Sequence, residues 1–190
     1  RFGRVRKYAL GKTSGKSNIL KNLEELGIRL EPEDMQRVTN RITELSDRKE
    51  NVTSDDLPYI ISDVLQNEEG AHHIRVRNYS LNVAEGLKSV ATLSLEVEGV
   101  IYEETSTGDG QYDAFMNALR RIYAPLNRVL PKLTDYVVTI PPGGRTDALV
   151  ETVITWQTDD NSEFKTRGLD SDQTISAIQA TVKMLNIINQ

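Results

Sequence analysis

From residue 74 onward the chain passes twice through the same succession of patterns, and this repeat restricts its fold more than any other feature. In the first pass Ile74 to Leu81 alternates apolar and polar residues. Val90 to Val97 alternates again, with Val90, Thr92, Ser94 and Glu96 on one side and Ala91, Leu93, Leu95 and Val97 on the other. A period of two is that of a half-buried strand. Glu98-Gly99 predicts a turn and Val100 to Thr105 a third strand, after which the glycine-bearing run STGDGQYDAFMNALRRIY leads into a helix. In the second pass Leu133 to Ile140 predicts a strand, Pro141-Pro142-Gly143-Gly144 a turn, and Ala148 to Gln157 a β-branched strand. Thr158-Asp159-Asp160-Asn161 predicts a hairpin turn and Glu163 to Thr166 a short strand, before TRGLDSDQTISAIQATVKMLNII forms a second helix. Gln111 corresponds to Gln173, Asn117 to Gln179 and Ala118 to Ala180. Two tandem βββα units with pseudo-twofold symmetry follow. Each sheet needs a helix to cover one face, and two such units can share one core.

The first third reads differently. Ile19, Leu20, Leu23 and Leu26 fall on one helical face, which Gly27 ends. Pro32 stands where a first helical turn tolerates proline, and Met35, Val38, Ile42 and Leu45 follow at helical spacing. Thr53-Ser54-Asp55-Asp56 has capping chemistry ahead of Leu57, Ile60, Ile61, Val64 and Leu65. These helices are short and narrowly apolar, which predicts a connector that packs on something else. The character changes around Asn67-Glu68-Glu69-Gly70. The expected fold class is therefore α+β: a short helical subdomain over 1–70, then a domain over 71–190 holding the two βββα units.

The chain begins on Arg1 with basic residues already mid-pattern, which predicts a piece of something longer. Its 38% apolar and 27% charged residues are ordinary for a globular protein. A net charge of −5 gives no general attraction to nucleic acid, and the cluster of Arg1, Arg4, Arg6, Lys7, Lys12 and Lys16 is local. The chain has no cysteine, which excludes disulfides, thiolate metal sites and a cysteine nucleophile. It shows no apolar run long enough to span a bilayer and no signal peptide. These features predict a cytoplasmic protein with no membrane partner.

LGKTSGKSN, residues 10–18, looks like a phosphate loop, but the spacing fails. Such a loop needs glycine, four residues, then Gly-Lys-Ser/Thr, so that backbone N–H groups curl around phosphates. Ending on Gly15-Lys16-Ser17 requires glycine where Leu10 stands, and ending on Gly11-Lys12-Thr13 requires it where Arg6 stands. A basic turn that opens a helix is the expected role. The histidines, His72 and His73, are adjacent, and in a strand they would point to opposite faces, which disfavours a shared metal. Asp159, Asp160 and Glu163 sit in a hairpin, too few and too close for calcium. No catalytic constellation and no metal site emerge.

The informative places are the two helix entrances, Gly108 to Asp113 and Gly168 to Gln173. Helix starts present backbone N–H groups that attract carboxylates. Asp113 can face an ammonium group, and Tyr112, Leu133, Tyr136, Ile140 and Val150 can supply an apolar wall. A free amino acid with an aliphatic side chain fits all three features; ordinary capping and core packing fit them too.

The segment YALGKTSGKSNILKNLEELGIRLEPEDMQRVTNRITELSDRKENVTSDDL resembles the linker that follows the catalytic barrel of 2-isopropylmalate synthases and the related citramalate synthases. TGDGQYDAFMNAL, LTDYVVTI, GGRTDALVET and QTISAIQATVKMLN are similar to that family's C-terminal regulatory domain. The resemblance implies a parent enzyme that condenses acetyl-CoA with a 2-oxo acid, using a divalent metal in a TIM barrel that this chain lacks. It implies no cofactor and no activity in this piece alone. It also implies a homodimer, linker helices that cross between subunits near the partner's active site, and an effector that is the pathway's end product, leucine or isoleucine. Carried onto this sequence, the effector pocket uses Tyr112 and Asp113, with Leu133, Tyr136, Ile140 and Val150 as its wall, Thr146 beside it, and Ser171 and Gln173 from the second entrance. Two departures stand out: many members have histidine in place of Thr13, and many have Gly-Pro where this chain has Gly110-Gln111.

Overall fold

The computed structural model describes residues 16–25, 29–47, 52, 56–66, 74–140 and 148–189. The elements run α1 (Lys16–Glu25), α2 (Pro32–Asp47), α3 (Leu57–Gln66), β1 (Ile74–Asn82), β2 (Ser89–Val97), β3 (Val100–Gly108), α4 (Gln111–Tyr123), β4 (Lys132–Thr139), β5 (Val150–Gln157), β6 (Glu163–Asp170) and α5 (Gln173–Ile188). A 3-10 turn, Ala124–Leu126, follows α4. The strands form two three-stranded sheets, ordered β1-β2-β3 and β4-β5-β6. The expected α+β class with two tandem βββα units is what the chain forms. Two compact units result: one from the described residues within 1–68, 138–151 and 169–173, the other from those within 69–137, 152–168 and 174–190.

In the larger unit β2 is the central strand of its sheet and is antiparallel to both neighbours. Its alternation is fully expressed: Ser89, Ala91, Leu93, Leu95 and Val97 are buried, and the intervening residues are half-exposed. Glu98 and Gly99 both adopt positive φ, 51° and 84°, between partners Val97 and Val100. A two-residue loop with both φ values positive suits the right-handed twist of the strands it joins. The buried side of this sheet shares one hydrophobic cluster with Phe115, Leu119 and Ile122 of α4, Ile154 and Trp156 of β5, and Ala177, Met184 and Leu185 of α5. Both βββα units therefore contribute to a single core.

Each helix of the repeat rests its fourth residue on a glycine of the preceding strand. A Cβ on Gly108 would lie 2.2 Å from the Ala114 backbone nitrogen, and one on Gly168 would lie 1.9 Å from the Ser176 carbonyl oxygen. Only glycine permits that approach. Ser176, fully buried, donates to Gly168 O at 3.2 Å and to Thr152 Oγ1 at 2.6 Å. Trp156 Nε1–H donates to Thr166 Oγ1 at 2.7 Å, so the buried indole is satisfied.

In the smaller unit Pro32 opens α2 with Glu33 and Asp34 in its first turn, where negative charge favours the helix dipole. Met35, Val38, Ile42 and Leu45 are buried, as their spacing predicts. They cluster with Ile19, Leu23, Val52, Leu57, Ile60, Ile61 and Val64. The helices thus share one cluster, which Leu149 and Leu169 complete from much later in the chain.

One difference from expectation concerns β6, which runs to Asp170 rather than ending at Thr166. Gly168, Leu169 and Asp170 are buried strand residues, and the turn into α5 takes only Ser171 and Asp172. Gly168 serves the close approach of α5 and not a turn. The expected turn at residues 141–144, the cap at 53–55, His72, His73, Thr13, Thr146 and residues 10–15 of the basic loop lie outside the described residues.

Candidate functional site

The start of α4 carries the first two predicted site residues. Gly110 precedes it in extended conformation, with φ −139° and ψ 173°, and has no side chain to cap the helix. Asp113 supplies the missing acceptor: its Oδ2 takes the Asp109 N–H at 3.0 Å and the Asn117 Nδ2–H at 3.4 Å. Asn117 Nδ2 also donates to Thr107 O at 3.0 Å, tying the helix to the end of β3. A carboxylate reaching back to a backbone N–H ahead of its helix is the logic of a capping box. Asp113 is exposed.

Tyr112 points the other way. Its ring lies parallel to Phe115, centroids 6.4 Å apart and planes 12° apart, and stands 5.6 Å from the ring of Tyr136 on β4. Its hydroxyl pairs with Thr181 Oγ1 of α5 at 2.7 Å. Burial pushes the phenol well above its usual range, so at neutral pH it is an uncharged hydrogen-bonding group. One residue earlier, Gln111 Oε1 accepts the Thr174 hydroxyl at 3.2 Å. Gln111 is the first residue of α4 and Thr174 the second of α5, so this bond holds the first turns of the two helices together. Helix starts leave their leading N–H groups without intrahelical acceptors.

The remaining predicted residues are placed as follows. Leu133 and Tyr136 both lie on β4, on opposite faces by the strand's period of two; Leu133 is 37% exposed, while Tyr136 packs against the core. Ile140 follows the end of β4 and is exposed, and Val150 opens β5 and is buried. Ser171 and Gln173 are exposed at the joint between β6 and α5, where Asp170 Oδ1 accepts the Asp172 N–H at 3.1 Å. Ile140, Val150, Ser171 and Gln173 belong to the smaller unit, whereas Tyr112, Asp113, Leu133 and Tyr136 belong to the larger. The structure brings Tyr112 and Tyr136 into ring contact.

Sequence reasoning missed Gln111, Phe115, Thr174 and Thr181. The Gln111–Gln173 correspondence marks equivalent helix starts, but it does not reveal that the starts are bonded. Among the described residues no three His, Asp or Glu side chains are grouped to hold a metal ion, and no helix is long and apolar enough to cross a membrane.

Comparison with known proteins gives a consistent picture. The sequence profile described as the LeuA allosteric (dimerisation) domain matches residues 51–189. A 2-isopropylmalate synthase of Aquifex aeolicus is 30% identical over 95% of this chain and 34% of its own length. The 2-isopropylmalate synthase of Pyrococcus furiosus is 32% identical over 97% of this chain and 35% of its own length. A protein of Archaeoglobus fulgidus named as a candidate (R)-citramalate synthase, CimA, is 30% identical over 98% of this chain and 37% of its own length. The chain thus spans about a third of the length of the relatives it matches.

Proposed function

The chain belongs to the LeuA allosteric (dimerisation) domain family, and from that premise we propose that it is the regulatory part of a 2-isopropylmalate synthase, binding leucine to inhibit the condensation of acetyl-CoA with 2-oxoisovalerate. The observation that carries this reading is the paired helix start. The Gln111–Thr174 bond sets two N-termini together beside the Tyr112–Tyr136 ring pair. A free amino acid offers the matching chemistry: a carboxylate for the N–H groups, an ammonium for the exposed carboxylate of Asp113, and an aliphatic side chain for the rings of Tyr112 and Tyr136. The chain acts as a homodimer in the cytoplasm, requires no cofactor itself and is inactive without the barrel, where the divalent metal belongs.

Leucine and isoleucine differ only in branching, a difference worth roughly 1–3 kcal/mol in an apolar pocket. Leucine is favoured because isopropylmalate synthases are the commoner class; isoleucine would assign the chain to a citramalate synthase. A dimerisation module without a ligand is the second reading, and one feature favours it: the Tyr112 hydroxyl and one Asp113 oxygen already have partners within the chain. Calorimetric titration of the chain with leucine, isoleucine and valine separates these readings. Saturable heat with leucine supports the leucine sensor, and heat with isoleucine alone moves it to the citramalate branch. A folded dimer that gives no heat with any of the three leaves the module. Tyr136→Ala is expected to weaken binding without unfolding the chain; unchanged affinity would displace the pocket.

A further inference from the structure

Asp109-Gly110 is the only place in the sequence where aspartate or asparagine precedes glycine. It lies at the turn from β3 into α4. An aspartyl carboxyl can close a ring onto the backbone nitrogen of the next residue. The nitrogen attacks Cγ, a five-membered succinimide forms, and the carboxyl's hydroxyl leaves with the nitrogen's proton as water. Water then reopens the ring at either carbonyl. Opening at one restores aspartate; opening at the other routes the main chain through the side-chain carbon, as isoaspartate. The reaction needs no oxidant and no metal. A side chain on the next residue shields the nitrogen, and an acceptor for its N–H or a fixed backbone hinders the approach.

The structure lowers each of these obstacles at Asp109. Its side chain is 90% exposed, and its ion-pair partner Lys88, with Nζ 3.4 Å away, is itself 70% exposed. A pair so open to solvent restrains a side chain weakly. Nothing lies within 4 Å of where a Cβ on Gly110 would stand. Gly110 precedes α4 in extended conformation, and among the described residues no acceptor takes its N–H. Closing the ring turns the 109–110 peptide, and glycine absorbs such a turn more readily than any other residue. Two bonds resist it: Ala114 N–H to Gly110 O at 2.9 Å, and Asp109 N–H to Asp113 Oδ2 at 3.0 Å. Both sit at a helix end, where local opening costs least.

Other exposed residues of the same chemistry are held. After Asn161 the attacking nitrogen is that of Ser162, whose N–H donates to Asp160 Oδ1 at 3.1 Å. After Asn127, the Arg128 N–H donates to Tyr123 O at 3.4 Å. After Asp135 the nitrogen stands 3.0 Å from Asp135 Oδ1, but it belongs to a strand residue, Tyr136, whose ring packs against Tyr112.

We propose that Asp109-Gly110 is a site of spontaneous isoaspartate formation in the folded chain. The methylene added to the main chain comes directly ahead of α4. The Asp109–Asp113 and Gly110–Ala114 bonds then cannot both keep their lengths, and the first turn of α4 loosens. This chemistry is independent of any effector.

The test is to hold the purified 190-residue chain at physiological temperature and neutral pH for weeks, beside a synthetic peptide of residues 106–114. Isoaspartate is read by methyl transfer from a protein isoaspartyl methyltransferase and located by electron-transfer fragmentation. It is expected to accumulate at position 109 of the folded chain on the time scale of the peptide, and ahead of Asn161, Asn127 and Asp135. Asp109→Glu keeps the charge but needs a six-membered ring, and is expected to lose the labelling at this position. Gly110→Ala, which meets no steric obstacle, is expected to slow it several-fold. The isomerised fraction is expected to exchange its Ala114 amide faster than the fresh chain. A folded chain that stays unlabelled while the peptide converts overturns the inference, as does earlier labelling elsewhere or a Gly110→Ala chain that converts at the wild-type rate. Unchanged Ala114 exchange in the isomerised chain overturns the loosening of α4.

Discussion

Gly108→Ala tests how the first helix of the repeat is seated on its sheet. The added Cβ would lie 2.2 Å from the Ala114 nitrogen and 2.7 Å from both the Ala114 Cα and the Asp113 carbonyl carbon. All three are helix backbone, which cannot swing aside as the end of a long side chain can. Ordinary contact begins near 3.4 Å, so the first turn of α4 would have to retreat by about 1 Å, an overpacking that costs about 3 kcal/mol. For a chain of this length that lowers Tm by about 6–12 °C. Gly110→Ala, two residues away, is the control: nothing lies within 4 Å of its Cβ and its φ of −139° is open to any residue. It is expected to change stability by no more than about 0.5 kcal/mol. Thermal unfolding followed by circular dichroism reads both. If Gly108→Ala melts within about 2 °C of the wild type, the helix does not rest on that glycine, and the placement of the α4 start beside Thr174 loses its footing.

Other outcomes follow from the same packing. Thr166→Val keeps the shape but leaves the buried Trp156 Nε1–H without an acceptor; it is expected to cost about 1–3 kcal/mol in urea unfolding followed by tryptophan fluorescence, and an unchanged midpoint would refute the bond. Asn186 accepts the Ile74 N–H at 3.2 Å and donates to the Ile74 carbonyl at 3.0 Å, as a neighbouring strand would; Asn186→Ala is expected to speed exchange of the Ile74 amide roughly tenfold, and an unaltered rate would count against the clamp. Burial pushes the phenol of Tyr123 up to about 12 and that of Tyr112 higher still. Both folded values lie above the ordinary 10.0, so their stabilisation is complete below that pH and is lost as pH rises through and beyond it. Tm measured against pH should therefore fall on the alkaline side, and Tyr112→Phe should flatten that fall; an identical alkaline profile in the variant would contradict it.

The sheets were the part of the fold that sequence periodicity expressed best, for a physical reason. On β2 one face is dry and the other wet, so selection for burial writes a period of two directly into Ala91, Leu93, Leu95 and Val97. β6 shows the opposite. Its last residues, Gly168-Leu169-Asp170, look like a turn because glycine and aspartate are turn formers, yet all three are buried strand. The glycine answers to Ser176, eight residues on, and the aspartate to the turn that starts α5. Local composition cannot separate a glycine needed for φ from one needed for space. The cluster around α2 and α3 is closed by Leu149, just ahead of β5, and by Leu169 of β6, side chains that no local helical pattern can supply.

The same distinction governs the candidate site. Tyr112 and Asp113 are adjacent in sequence, and pattern alone could give both to a ligand or both to the fold. A helix turns by about 100° per residue, and that turn splits them: Tyr112 goes inward to Phe115, Tyr136 and Thr181, and Asp113 goes outward to cap its own helix. Only the inward residue is fixed from several sides, while the outward one is exposed. What no local pattern carries is the bond from Gln111 to Thr174, because the two residues are 63 apart and each looks like an ordinary residue of a helix start. The pseudo-repeat brings equivalent helix starts together, and the bond between them is a property of the pair.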